Sequence, residues 1–146
     1  MMDYKASSYI AYKKACDFLE VAKTLDAEED FKLIPTVVNA SFSCELFLKA
    51  LLIWQRQSTT PIKKHSLVDL FGSLIQEDQD TIKANADIFD WSRFMREASE
   101  AFESWRYVHE NDGFLWISIG DLIRFSEALK KHYEEKHSLK EVFDDE

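Results

Sequence analysis

Residues 35–57 read PTVVNASFSCELFLKALLIWQRQ, and this stretch decides the fold class. Val37, Val38, Phe42, Leu46, Phe47, Leu48, Leu51, Leu52 and Trp54 place apolar side chains nearly all round a 3.6-residue period. The spacing predicts a helix running to about Gln57 that lies at the centre of a domain, since a surface helix would keep one polar face. Pro35 suits its first turn, because the N–H that proline lacks would be unpaired there in any helix.

Outward from this helix the chain keeps the same character. Ala11, Ala15, Phe18, Ala22 and Leu25 recur at spacings of four and three, which predicts an amphipathic helix over 8–25, ended by the acidic run 26–30. On the other side, the polar stretch 58–64 contains Pro61 and reads as a loop. Ser66 and Asp69 have capping-box spacing ahead of a short helix that buries Leu67, Leu70, Phe71 and Leu74. Residues 76–89 are ambiguous, with at most a weak helical turn around 81–85. Asp90 can cap a further long helix whose stripe is Trp91, Phe94, Ala98, Ala101, Phe102, Trp105 and Val108, stopping near Asn111 to Gly113. A short apolar segment, Phe114 to Ile117, is read as extended or loop. Ser118 and Asp121 repeat the capping spacing before a last helix presenting Ile119, Leu122, Ser126, Leu129 and Tyr133. The expected architecture is all-α, an antiparallel four-to-five-helix bundle with four long helices and one short helix after the second. A single domain over 1–146 is expected, with its core at about 8–135 and an acidic tail, 138–146, that frays.

Composition agrees with this reading. Three glycines and two prolines cannot build the many tight turns of a sandwich or barrel, and 46% apolar residues with eleven Phe and four Trp exclude a disordered chain. Cys16 and Cys44 each fall inside a helical pattern and form no C-x-x-C motif, as expected of free thiols in a reducing cytoplasm. No apolar run of signal-peptide or membrane-spanning length is apparent, so a cytoplasmic protein with no membrane association is expected. A net charge of −9 opposes attraction to phosphate backbones. No DNA binding is expected, and any contact with RNA would need a local basic patch. Aromatic residues such as Phe114 and Trp116 exceed what a small bundle easily buries, which predicts a homodimer.

Phosphate-binding glycine loops, H-E-x-x-H and G-x-S-x-G are all missing from the sequence. His132 and His137 are five apart near a helix end, too far round the helix to share a metal, and are expected to be solvated. Neither a metal nor a cofactor is expected. Glu45 lies on the stripe of Val38, Phe42, Leu48 and Leu52, so its carboxylate is aimed inward and needs a partner. Lys49, one turn on, is the local choice. Arg106, one turn after Phe102 in the segment Trp105-Arg106-Tyr107-Val108-His109-Glu110, is the distant one, unless it pairs with Glu110 instead. His65 beside Lys63 and Lys64 marks the densest basic spot, and its place before the Ser66 cap favours a structural role over a catalytic one.

Three pieces, Glu45-x-x-x-Lys49-Ala50-Leu51, His65-Ser66-Leu67-x-x-Leu70 and Trp105-Arg106-Tyr107-x-x-Glu110, together resemble the HEPN superfamily of helical-bundle domains. The resemblance implies a bundle that commonly dimerises, found alone or beside nucleotidyltransferase-like partners in prokaryotic toxin–antitoxin and anti-phage systems. In active members it implies a metal-independent endoribonuclease, with an Arg and a His separated by four to six residues acting on phosphate and 2′-hydroxyl. Here Arg106 and His109 have two residues between them and Arg124 and His132 have seven, so no pair has that spacing. The expectation is therefore a partner- or nucleotide-binding module. A polar cluster of Glu45, Lys49, His65, Arg106, Tyr107 and Glu110 is expected, with a ribonuclease using Arg106 and His109 as the alternative. The expected partner is a nucleotidyltransferase-like antitoxin protein or RNA.

Overall fold

A computed structural model describes residues 3–30, 32–104 and 118–137, with the backbone alone described at 101–104. Among these residues there are six α-helices and no strand: α1 (Tyr4–Asp26), α2 (Leu33–Arg56), α3 (Leu67–Gly72), α4 (Gln76–Ala86), α5 (Trp91–Ser104) and α6 (Ile119–Lys136). The expected all-α bundle is present, with two short helices between α2 and α5 where one was expected.

Helix directions follow from which residues meet. Along α1 and α2, Ser8 meets Ala50, Tyr12 meets Phe47, Ser43 meets Ala15 and Phe18 meets Phe42, so one number falls as the other rises. The two run antiparallel. Between α2 and α6, Ser43 meets Ser126 and Trp54 meets His137, so these run parallel. α2 sits at the centre, with Val37, Ala40, Cys44, Phe47, Leu48 and Leu51 buried. By length and composition it could cross a membrane, at mean hydropathy 1.5, but 67% of that window is buried inside the bundle. Its apolar circumference is the surface of a core helix.

Small side chains let the helices approach and then bond across the gap. Ser8 Oγ donates to the Ala50 carbonyl at 2.6 Å, which leaves the Tyr133 hydroxyl as donor to Ser8 at 3.0 Å. Ser43 Oγ donates to the Ala15 carbonyl at 2.9 Å, so Ser126 donates to Ser43 at 2.6 Å. Each hydroxyl is satisfied by backbone or by another hydroxyl, which a buried polar group requires. Around them the Tyr12 and Tyr133 rings stack at 4.6 Å, and Phe125 takes edge contacts from Phe71, Trp91 and Phe94.

Local signals are realised at the helix starts. Ser66 caps α3 by accepting from the Asp69 N–H, Ser118 caps α6 by accepting from the Asp121 N–H, and Asp90 accepts from the Arg93 N–H at the head of α5. Two expectations are corrected. The buried face of α1 is Ser8, Tyr12, Ala15, Leu19 and Ala22, one position round from the expected stripe, because Tyr12 and Leu19 offer more apolar surface than Ala11 and pack across the seam. The ambiguous stretch forms α4, eleven residues long, which buries Asp78, Ile82 and Ala86. The end of the α5 stripe (Trp105, Val108), its expected stop near Asn111, the segment Phe114 to Ile117 and the tail beyond His137 lie outside the described residues.

Candidate functional site

The site begins at the reversal after α2. Gln57 takes a left-handed conformation, with φ 51° and ψ 42°. Its N–H bonds the Trp54 carbonyl at 3.1 Å, and the Ser58 N–H bonds the Ile53 carbonyl at 3.4 Å. This closure satisfies the last carbonyls of the helix and turns the chain back along it. Ser58 and Thr60 tighten the turn through the Thr60 N–H bond to Ser58 Oγ at 3.1 Å. Ile62 then packs against the core, so the returning loop lies on the face of α2 that carries Glu45, Lys49, Leu52 and Arg56.

That return brings His65 over Glu45. His65 Nδ1 is 3.0 Å from Glu45 Oε1, Lys49 Nζ is 3.7 Å from the same oxygen, and Lys49 Nζ is 3.4 Å from Nδ1. The Glu45 side chain is 7% exposed, that of Lys49 18% and that of His65 67%. A carboxylate only accepts, so Nδ1–H is the donor to Glu45, while two-thirds of the His65 side chain stays exposed. The ammonium of Lys49 has no use for a protonated Nδ1 and is held by the carboxylate. One buried charge thus carries a cation and an oriented imidazole, and the 57–66 loop is tied to α2.

Of the six residues expected to cluster, Glu45, Lys49 and His65 are brought together. Arg106, Tyr107 and Glu110, with His109, lie outside the described residues, and so do the Arg106–Glu45 and Arg106–Glu110 pairings.

A second polar cluster was not anticipated. Asp78, buried on α4, takes Lys136 Nζ at 2.8 and 2.7 Å on its two oxygens and His132 Nε2 at 2.9 Å. Its signal was the pair His132 and Lys136, four apart on one face of α6, together with an acidic residue in the first turn of a helix too polar to recognise. The expectation of solvated histidines is corrected: His132 and His137 are both buried. They do face different partners, for the His137 ring stacks on Trp54 at 3.9 Å and 20°. Burial, with Lys136 nearby, pushes the His137 pKa down to about 4.

Other reactive groups are muted by the same physics. Burial raises the Cys44 and Cys16 thiols above their ordinary range, which keeps them protonated and poorly nucleophilic. The Tyr12 hydroxyl is raised by burial and by its hydrogen bond to Glu134. Among the described residues, no group of three His, Cys, Asp or Glu could hold a metal ion.

Comparison with known proteins adds one match. The family model of the HEPN domain matches residues 9–135. No curated protein and no solved structure matches the chain.

Proposed function

The chain belongs to the HEPN domain family, and from that premise we propose that it works by binding rather than by cutting RNA, as a partner- or nucleotide-binding module in a prokaryotic defence, stress or toxin–antitoxin setting. The observation that carries this reading is the closed Glu45–Lys49–His65 cluster. Cleavage by 2′-hydroxyl attack asks for a cation on the phosphate together with a base and an acid for the proton transfers. Lys49 is spent on Glu45, and a single imidazole supplies one proton carrier where two transfers are needed. No Arg and His stand at the spacing the active branch uses. The cluster instead fixes a lysine-bearing loop in one conformation, which lowers the entropy cost of binding. Two free thiols are compatible with a cytoplasmic setting.

One observation favours the rival, a metal-independent endoribonuclease. His65 Nδ1 is oriented by a buried carboxylate and the side chain is two-thirds exposed, an arrangement a general base can use. Arg106 and His109 would complete that site. Incubation of purified protein with total RNA, with and without chelator, separates the two. The binding module leaves the RNA intact in both arms. Degradation that persists in chelator and disappears in a folded His65→Gln protein would assign catalysis instead.

A further inference from the structure

The solvent side of α1 is as ordered as its buried side. Ser8, Tyr12, Ala15, Leu19 and Ala22 face the core. Opposite them Ser7, Ile10, Lys14, Asp17, Val21 and Thr24 recur at alternating spacings of three and four, a second stripe along the same helix. Ile10 and Val21 are 41% and 46% exposed, and Lys13, Lys14, Asp17 and Glu20 are exposed beside them. These four charges form no ion pair among the described residues.

The order of the stripe carries the inference. Reversed about a point between Ala15 and Cys16 it matches itself: Ser7 falls on Thr24, Ile10 on Val21 and Lys14 on Asp17. Two copies of a helix packed antiparallel about a two-fold axis meet in this way, with residue i of one against j of the other and j against i. Each apolar residue then meets an apolar one, and each cation meets an anion. The flanks obey the same symmetry, for Lys13 comes beside Glu20 of the second copy and the partly buried Ala11 beside its Phe18. A parallel pairing would set Lys14 on Lys14 and Asp17 on Asp17, so the charges select the antiparallel one. Ile10 and Val21 supply apolar area, and the ion pairs supply register. Two cations and two acids also leave this patch neutral, in a chain whose net charge of −9 otherwise holds copies apart. Asp3 and Glu28 would repel, but they lie beyond the ends of the stripe, where helices crossing at about 20–50° have diverged.

The place of α1 in the bundle gives the contact a consequence. α1 packs on the side of α2 that carries Ser43, Phe47 and Ala50, and Glu45 and Leu52 fall on the opposite side of that helix. We propose that the outer face of α1 binds a second copy of this chain, antiparallel about a two-fold axis, and that the pair turns its two Glu45–Lys49–His65 clusters outward, away from each other. Such a pair shares no site across the axis. It is bivalent, able to hold two partner molecules or two segments of one, with the avidity that linkage brings. That use rests on the binding-module reading, whereas the contact itself does not.

Charge reversal in the full chain tests the contact, with dimer affinity measured by sedimentation over a micromolar concentration series. Lys14→Asp and Asp17→Lys each set like charges against each other on both sides of the axis and should each weaken the dimer by about tenfold or more. The double reversal restores opposite charges and should return the affinity to within about threefold of the unaltered chain. Circular dichroism checks the fold, and rescue by the double reversal excludes damage to α1 as the cause of a single variant's loss. A monomer at every concentration, single reversals without effect, or a double reversal no tighter than either single one would each overturn the contact. Degradation of total RNA by the unaltered chain would remove the binding-module reading and leave the contact standing, so the two fail separately.

Discussion

Glu45 has two partners of unequal weight. Lys49 is mostly buried with it, and its loss leaves a largely buried carboxylate to His65 alone. Lys49→Met should cost about 3 kcal/mol, the low end for orphaning a buried charge because His65 still answers the carboxylate. His65 is two-thirds exposed, and water can replace its hydrogen bond, so His65→Gln should cost less than about 1 kcal/mol. The double change Glu45→Gln with Lys49→Met removes both charges and should be milder than Lys49→Met alone. Urea midpoints at constant slope measure all three, and additive losses in the double variant would mean that Glu45 and Lys49 are not coupled. How much of this was legible differs by residue. The inward aim of Glu45 follows from its helical stripe, and Lys49 from the one-turn rule. His65, twenty positions away, was placed in the same polar cluster, but its bond to Glu45 is made by the reversal at Gln57, a non-glycine residue in a left-handed conformation that no pattern advertises.

At the level of elements, legibility follows how local the stabilising interactions are. Ser66, Asp90 and Ser118 declare their helices through bonds three residues long, and those starts were readable. α4 was not, because it buries only one large apolar side chain, Ile82, and is anchored by Asp78 to residues 54 and 58 positions away on α6. The end of α6 makes a related point about charge. His137 is stacked on Trp54, and two effects compete for its proton: the indole face attracts a cation, while burial beside Lys136 repels one. Burial wins, since the folded pKa is lowered to about 4 from the ordinary imidazole value of 6.5. The unfolded chain therefore binds this proton first as pH falls. The contribution to stability is complete above about pH 6.5, declines as the pH drops, and is gone near pH 4. Between pH 6.5 and 5, before carboxylates interfere, the unaltered protein should lose about 1–2 kcal/mol relative to a His137→Phe variant, allowing for solvent screening. Denaturation curves at half-unit pH steps give that difference. Equal slopes, or a gain in acid, would mean that the stacked imidazolium is tolerated after all.

For the molecule as a whole, the class was legible because three glycines and two prolines leave helices as the only compact option, and α2 is apolar all round because it is enclosed. Assembly is a separate matter and belongs to surface left uncovered. Phe89 is fully exposed between α4 and α5, and Val68 on α3 and Ile75 at the head of α4 are 44% and 45% exposed. Apolar area of this kind favours self-association at roughly 25 cal/mol per Å² buried. Against it stands a net charge of −9 on each copy, a repulsion that acts over about 10 Å at 0.1 M salt and shrinks as salt is added. A homodimer built on apolar contact should therefore tighten between about 20 and 300 mM salt. Sedimentation at micromolar concentration should report twice the 17.1 kDa chain mass, with the dimer fraction rising with salt. A dimer held by complementary charges would loosen instead, and a monomer at every salt concentration would exclude self-association.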